Sequence, residues 1–273
     1  MVVALVDPDM TRPEIPAPGF GTSGLEGDEC VDAVTDALDV GYRHIDTAQM
    51  YDNEAKVGEA LADSGVDRDD VFLATKVHPD SLAPEDVIGT AEESLGRLGV
   101  GQVDLLYVHW PIRAYDAMAT LPAFDELHER GLTRNVGVSN FTPDLLREAQ
   151  EILDAPIAAH QVECHPILPQ TELRDIARGT GHRLVAYSPL AQGELLAHPT
   201  VQAVATQLDA TPAQTVLAWH LDHDIVPIPK ARGDHIQENF AARTVEFTDE
   251  ARERLDGVEE TERVVDPDAA PWN

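Results

Sequence analysis

The segment Gly41-Tyr42-Arg43-His44-Ile45-Asp46-Thr47-Ala48-Gln49-Met50-Tyr51-Asp52-Asn53-Glu54 begins as a strand and ends as a helix start. Ile45 lies among β-formers, and the run closes on Asp46, where a buried strand should surface. Asn53 and Glu54 suit the cap and first turn of a helix over Asn53–Ala62, because both favour the free N–H groups and dipole at a helix start. Tyr51 stands on the short turn between strand and helix, which would hold its hydroxyl close to Asp46. Alone, the pair also reads as a salt-bridged strand end and a tyrosine covering apolar surface.

Upstream, Pro13, Pro16 and Pro18 break regular structure, and Gly19–Thr22 reads as a short strand. Gly19-x-Gly21-x-x-Gly24 matches the dinucleotide-binding fingerprint, with Asp46 at a fitting distance. We read this as a chance match. The fingerprint follows a buried strand, and Glu14-Ile15-Pro16-Ala17-Pro18 cannot be a central one. Gly24 also opens no helix. Leu25, Glu26 and Gly27 intervene before a helix with Cys30, Val31, Val34, Ala37 and Leu38 on one face.

Downstream, short apolar runs alternate with helical patterns. Strands are predicted at Val71–Val77, Val103–His109, Asn135–Val138, Ile157–Val162, Arg183–Tyr187 and Ile225–Pro229. Helices are predicted at Pro84–Leu98, Leu121–Arg130, Pro143–Leu153, Gln170–Arg178, Thr200–Leu208, Pro212–Leu221, Asp234–Ala242 and Asp249–Val258. Gly131 closes the second of these and Thr142 caps the third. Near-continuous apolar strands with helical crossovers imply a parallel sheet covered on both faces. Eight such units predict an α/β fold of the closed (β/α)8 TIM-barrel type, in one domain over residues 1–273.

Composition narrows the function. The chain has 50 acidic residues against 19 basic, a net charge of −31 and a pI of about 4.4. Such a field repels nucleic acid and anionic membranes. No run is long and apolar enough to span a bilayer. Met1–Asp9 carries no basic n-region, so no signal peptide is expected and the expected location is cytoplasmic. Cys30 and Cys164 show neither metal nor disulfide spacing, and no metal is expected. The lysines are only Lys56, Lys76 and Lys230. Strong acidity with so little lysine fits adaptation to concentrated salt, where counterions screen self-repulsion. It also makes each remaining lysine conspicuous.

In a barrel of this type, polar residues at the C-terminal strand ends converge on one mouth. Those ends supply Asp46, Lys76, His109, Ser139-Asn140, Gln161, Tyr187-Ser188 and Lys230. Each alone has an ordinary structural explanation. Seven coinciding at one mouth do not.

Gly41-Tyr42-Arg43-His44-Ile45-Asp46-Thr47-Ala48, Tyr51-x-Asn53-Glu54, Thr75-Lys76, His109-Trp110-Pro111, Gly137-Val138-Ser139-Asn140-Phe141, Gln161-Val162-Glu163, Tyr187-Ser188-Pro189-Leu190 and Ile228-Pro229-Lys230 together resemble the aldo-keto reductase family. The resemblance runs from about Pro18 to the C-terminus. Gly131-Leu132-Thr133-Arg134, the short loops and the brief tail resemble its prokaryotic 2,5-diketo-gluconate and methylglyoxal reductase branch. The resemblance implies a reductase that binds NADPH across the barrel mouth without a Rossmann domain. It implies Tyr51 as general acid, with Asp46, Lys76 and His109 completing the catalytic set. It places Ser139, Asn140 and Gln161 on the nicotinamide amide, Tyr187 on its ring and Lys230 on the ribose 2′-phosphate. Thr22, Ser188, Leu190, Arg232, His235, Glu238 and Asn239 complete the expected cofactor site.

The chemistry agrees with those roles. Carbonyl reduction builds negative charge on oxygen, so a proton donor must lie within hydrogen-bond reach. A free tyrosine, with a pKa near ~10, is a sluggish acid at neutral pH. A lysine ammonium beside it stabilises phenolate and lowers that pKa. Asp46 would keep Lys76 charged and aimed, and neutral His109 would share the developing charge.

Phe20, Met50 and Trp110 are expected at the substrate, with Trp272 folding in from the tail. Short loops favour small aldehydes, α-dicarbonyls, keto sugars or keto acids over steroids, and a monomer is expected. Two departures weaken NADPH selectivity and leave NADH usable. Ala231 stands where the family commonly has a hydroxyl, and His235 falls near its second phosphate-binding arginine. Two alternatives remain: a non-catalytic cofactor-binding barrel subunit, and a Schiff-base aldolase using Lys76.

Overall fold

The computed structural model describes residues 14–273. The Met1–Asp9 segment judged for a leader, and Pro13, lie outside them. Among the described residues no helix is long and apolar enough to cross a membrane.

Strands and helices alternate as follows: β1 Phe20–Gly21, α1 Gly27–Val40, β2 His44–Asp46, α2 Glu54–Asp63, β3 Phe72–Val77, α3 Pro84–Leu98, β4 Leu105–Val108, α4 Ala117–Glu129 and β5 Val136–Ser139. There follow α5 Pro143–Ile152, β6 Ile157–Glu163, α6 Thr171–Thr180, β7 Arg183–Tyr187, α7 Pro199–Leu208, α8 Pro212–Asp222, β8 Ile225–Pro227, α9 Asp234–Phe240 and α10 Asp249–Asp256. The strands pair in chain order, each parallel to the next. Gly19 N–H donates to Pro227 O at 2.9 Å and Gly21 N–H to Pro229 O at 3.2 Å, joining the first strand to the last. This is the expected (β/α)8 architecture.

The period-2 alternation of strands splits the core into two layers. Outward residues such as Ile45, Leu73, Val77, Val108 and Val138 pack against the helices. Inward residues such as Ala74, Tyr107, Val185, Val226 and Ile228 fill the barrel. Gly21 in β1 and Gly19 just before it take inward positions, where a Cβ would stand 2.7 Å from Ile228 O and 2.4 Å from the His44 ring respectively. Barrel closure therefore requires glycine at both, and the near-fingerprint has a packing cause. Gly24, at φ 72°, belongs to a turn, and α1 starts only at Gly27.

The same alternation corrects one expected substrate contact. Phe20 lies between the two inward glycines, so its ring points outward. It is fully buried in the helix-facing layer, edge-on to Tyr42 with centroids 5.6 Å apart.

Helix ends follow local chemistry. Thr142 accepts from Leu145 N–H as expected, and Thr211 with Gln214 forms a capping box on α8. Asn53 stands at the start of α2, but its side chain does not cap. Its Nδ2 donates to Thr22 O at 2.9 Å and Leu25 O at 3.0 Å, while its Oδ1 accepts from Thr47 Oγ1 at 2.8 Å. Asn53 thus ties the loop after β1 to the loop after β2, and both loops border the mouth.

Candidate active site

Alternation along β2, β3 and β4 puts Asp46, Lys76 and His109 on the inner surface at the carboxyl ends of neighbouring strands. Lys76 is fully buried. Its ammonium has three protons and meets three acceptors: Asp46 Oδ1 at 2.5 Å, Thr47 O at 2.8 Å and Tyr51 Oη at 3.4 Å. Asp46 Oδ2 accepts from Gln161 Nε2 at 2.8 Å, so both carboxylate oxygens are engaged. Tyr51 reaches the group from a single 3-10 turn, Gln49–Tyr51, and its ring stands edge-on to His109 at 5.7 Å.

The electrostatics follow from burial. Burial opposes charge on Lys76, but Asp46 and then Tyr51 outweigh it, and the lysine pKa is raised. Burial also raises the Tyr51 pKa, with Lys76 only partly offsetting it. The lysine's lowering effect is therefore real, but it does not bring the phenol below its ordinary value. His109 titrates well below its usual range, because burial, then Lys76, disfavour the imidazolium. Its Nδ1 is buried without a hydrogen-bond partner, so a proton there would be stranded.

These groups line a cleft of about 710 Å³ at the mouth, within the usual size range of ligand sites. Thr22, Ser139, Asn140, Gln161, Tyr187, Ser188, Leu190 and Lys230 line it, with Met50 and Trp110. Asn140 bridges three strand ends. Its Nδ2 donates to His109 O and Ser139 Oγ, both at 3.0 Å, and its Oδ1 accepts from the Tyr187 hydroxyl at 2.8 Å. Asn140, Ser188, Ala191 and Gln192 all hold positive φ, a conformation that non-glycine residues adopt at a cost. Trp272 does fold in, its ring 5.7 Å from that of Trp110.

The expected phosphate-side residues divide. Lys230 lines the cleft beside Gly24 and has no ion-pair partner among the described residues. Arg232 is instead turned to Glu29, at 2.5 and 3.0 Å, and to Gly24 O at 3.2 Å. His235 is exposed and bonded to Glu238 at 2.8 Å, while Asn239 is buried. None of Arg232, His235, Glu238 and Asn239 lines the cleft.

Some residues escaped the reading of the sequence. Ser23 hydrogen-bonds Tyr51, and Gln192, Gly193 and Val265 line the cleft. Glu54 looked like a first-turn charge. It is buried, accepting from Thr75 Oγ1 at 2.6 Å and Arg97 Nε at 2.8 Å. Glu163 is buried too, and accepts from the backbone N–H groups of Val264 and Val265 at 2.7 and 2.8 Å, anchoring the tail. Alternation from Gln161 was the available signal for Glu163.

The mouth of the barrel gathers a lysine–aspartate pair, a tyrosine and a histidine, and comparison with known proteins places the chain among carbonyl-reducing enzymes. The aldo/keto reductase family model matches residues 19–260, and the chain belongs to that family. An aldo-keto reductase of Mycobacterium sp. (strain JLS) is 38% identical over 261 residues, 95% of this chain and 94% of that one. Methylglyoxal reductase DkgB of Yersinia pestis is 36% identical over 267 residues, 95% and 99% of the two chains. The crystal structure of a putative 2,5-diketo-D-gluconic acid reductase B superposes with a TM-score of 0.90 at 38% identity, covering 94% of this chain and 92% of that one. The protein is an NAD(P)H-dependent oxidoreductase.

Proposed function

We propose that the chain is a single catalytic unit that reduces short aldehydes, α-dicarbonyls, keto sugars or keto acids with NADPH, and that Tyr51 is the proton donor. The carrying observation is the donor count at Lys76: the third ammonium proton goes to Tyr51 Oη. Tyr51 is thereby an acceptor toward Lys76, and its own proton is free for the cleft. Asp46 and Thr47 O hold the ammonium in place. His109, neutral through burial, favours the tautomer with hydrogen on Nε2 and donates it to the carbonyl oxygen.

The mouth residues suit a nicotinamide dinucleotide. Ser139, Asn140 and Gln161 offer amide and hydroxyl partners, Tyr187 a ring face, and Lys230 an unpaired cation for a 2′-phosphate. When bound, the cofactor supplies the hydride. With Arg232 engaged by Glu29, Lys230 is the cation without an ion pair that lines the cleft among the described residues, so NADPH is preferred and NADH remains usable. Met50 and Trp110 wall the substrate end.

The aldolase alternative requires a neutral lysine, and the raised pKa of Lys76 argues against it. Initial rates with methylglyoxal, short aldehydes and keto acids, using NADPH and NADH at several salt concentrations, test the proposal. The salt series also tests adaptation of the −31 chain to concentrated salt. NADPH oxidation with small carbonyls is expected. A preference for steroids, or an imine trapped on Lys76 by borohydride, would overturn the proposal.

A further inference from the structure

The barrel interior holds a second tyrosine beside the catalytic lysine. Tyr107 of β4 is the register partner of Lys76 of β3, so the two side chains enter the barrel from neighbouring strands at one level. On the other side its register partner is Gly137 of β5, where a Cβ would stand 2.6 Å from the Tyr107 ring. The ring therefore lies across β5, in the space that a side chain there would fill. That direction carries the hydroxyl toward β6, from which Gln161 projects inward. The groups that the hydroxyl faces are the Gln161 amide and the Asp46 carboxylate.

Tyr107 is fully buried, and its hydroxyl completes no hydrogen bond of ordinary geometry among the described residues. A phenylalanine would fill the same space without leaving a buried polar group unmet, so the hydroxyl needs a reason. Burial, then the charge of Asp46, raise its pKa well above the ordinary tyrosine value, so it keeps its proton and can act as a donor. Gln161 stands with this donor on one side and a carboxylate on the other. Its Nε2 donates to Asp46 Oδ2 at 2.8 Å, and Asp46 Oδ1 holds Lys76 at 2.5 Å. A glutamine amide can turn over and exchange its oxygen for its nitrogen. Turned over, Gln161 would set an oxygen against the Asp46 carboxylate and an N–H toward the Tyr107 proton.

We infer that Tyr107 is a positioning residue of the active site: its hydroxyl selects the amide orientation of Gln161, and through Gln161 it holds Asp46, Lys76 and the Tyr51 proton donor in line. This rests on the reductase reading above. A small shift of either side chain closes the bond from the Tyr107 hydroxyl to Gln161 Oε1. The chain then runs unbroken from Tyr107 through Gln161, Asp46 and Lys76 to Tyr51. Each donor in it meets an acceptor, and members of such a chain support one another in a dry interior.

The test places Tyr107→Phe in the wild type and in Gln161→Met, whose side chain has a similar length and no amide. Rates are measured with methylglyoxal and NADPH, and thermal melts are measured on the cofactor-free protein. In the wild type Tyr107→Phe should lower kcat by about 3- to 10-fold, the worth of one hydrogen bond. Its melting temperature should hold or rise, because the ring stays against Gly137 and an unmet hydroxyl is removed. In the Gln161→Met background the same substitution should change kcat by less than about 2-fold, since the hydroxyl acts through the amide. An unchanged kcat in Tyr107→Phe would overturn the inference. Equal losses in the two backgrounds would do so too, as would a lower melting temperature, which would make the hydroxyl a structural group. These three outcomes leave the reductase reading standing, whereas no turnover of any carbonyl by the wild type rejects that reading and the inference with it.

Discussion

Lys76 Nζ stands 3.4 Å from Tyr51 Oη and 4.9 Å from the centre of its ring, at the end of a buried strand. The ammonium cannot leave this position without stranding Asp46, whose side chain is 2% exposed. The proton donor is therefore set by an ion pair that is also structural.

Lys76→Met tests both aspects at once. It should lower kcat by about 10²–10⁴-fold, since the proton donor loses its charged neighbour. It should also destabilise the fold by about 3–5 kcal/mol, because it leaves a buried carboxylate unpaired. Asp46→Asn combined with Lys76→Met should recover much of that stability and none of the activity. Urea denaturation with steady-state rates reads both. Strictly additive stability losses would contradict the coupling.

Buried histidines set an acid limit. His44 is fully buried, its Nδ1 donating to Pro16 O at 3.3 Å and its Nε2 without a partner. Burial lowers its pKa to about 4, from the ordinary 6.5. The unfolded chain thus binds this proton first. The stabilisation is complete above pH 6.5 and is lost as pH falls toward 4, by roughly 3 kcal/mol for this residue. Urea midpoints measured from pH 7 to 4.5 in about 1 M salt, which screens the −31 field, should fall. In His44→Asn that fall should be shallower. An unchanged slope would remove His44 as a cause.

The barrel was legible because both of its periodicities are written in the chain. Apolar runs such as Leu105–Val108 and the faces of α1 and α3 mark strands and helices directly. The inner-facing polar set was legible because Asp46, Lys76 and His109 close such runs. Three features depended on three-dimensional pairing that no local pattern carries. Phe20 turns outward because β1 contributes glycines to the interior, a consequence of contact with His44 and Ile228 across the barrel. Asn53 looked like a helix cap, but its partners are loop carbonyls far away in sequence. Arg232 likewise looked available to a phosphate until Glu29, on helix α1, engaged it.

Cofactor choice follows from that pairing. Lys230→Met should raise KM for NADPH by about 10- to 100-fold and leave NADH within about 2-fold, because only NADPH has the phosphate to lose. Initial rates with each cofactor read the difference. Equal losses with both would place Lys230 on the shared part of the dinucleotide or on barrel closure.

The most direct measurement is the turnover of Tyr51→Phe with methylglyoxal, alongside NADPH binding followed by fluorescence titration. The substitution keeps the ring against His109 and removes only the hydroxyl that Lys76 contacts. The proposed mechanism predicts a kcat lower by about 10²–10⁴-fold with cofactor affinity nearly intact. It also predicts that wild-type reduction holds through neutral pH and falls only in strong alkali, as the buried Tyr51 loses its proton. Near-normal turnover by Tyr51→Phe would contradict the assignment of Tyr51 as the proton donor.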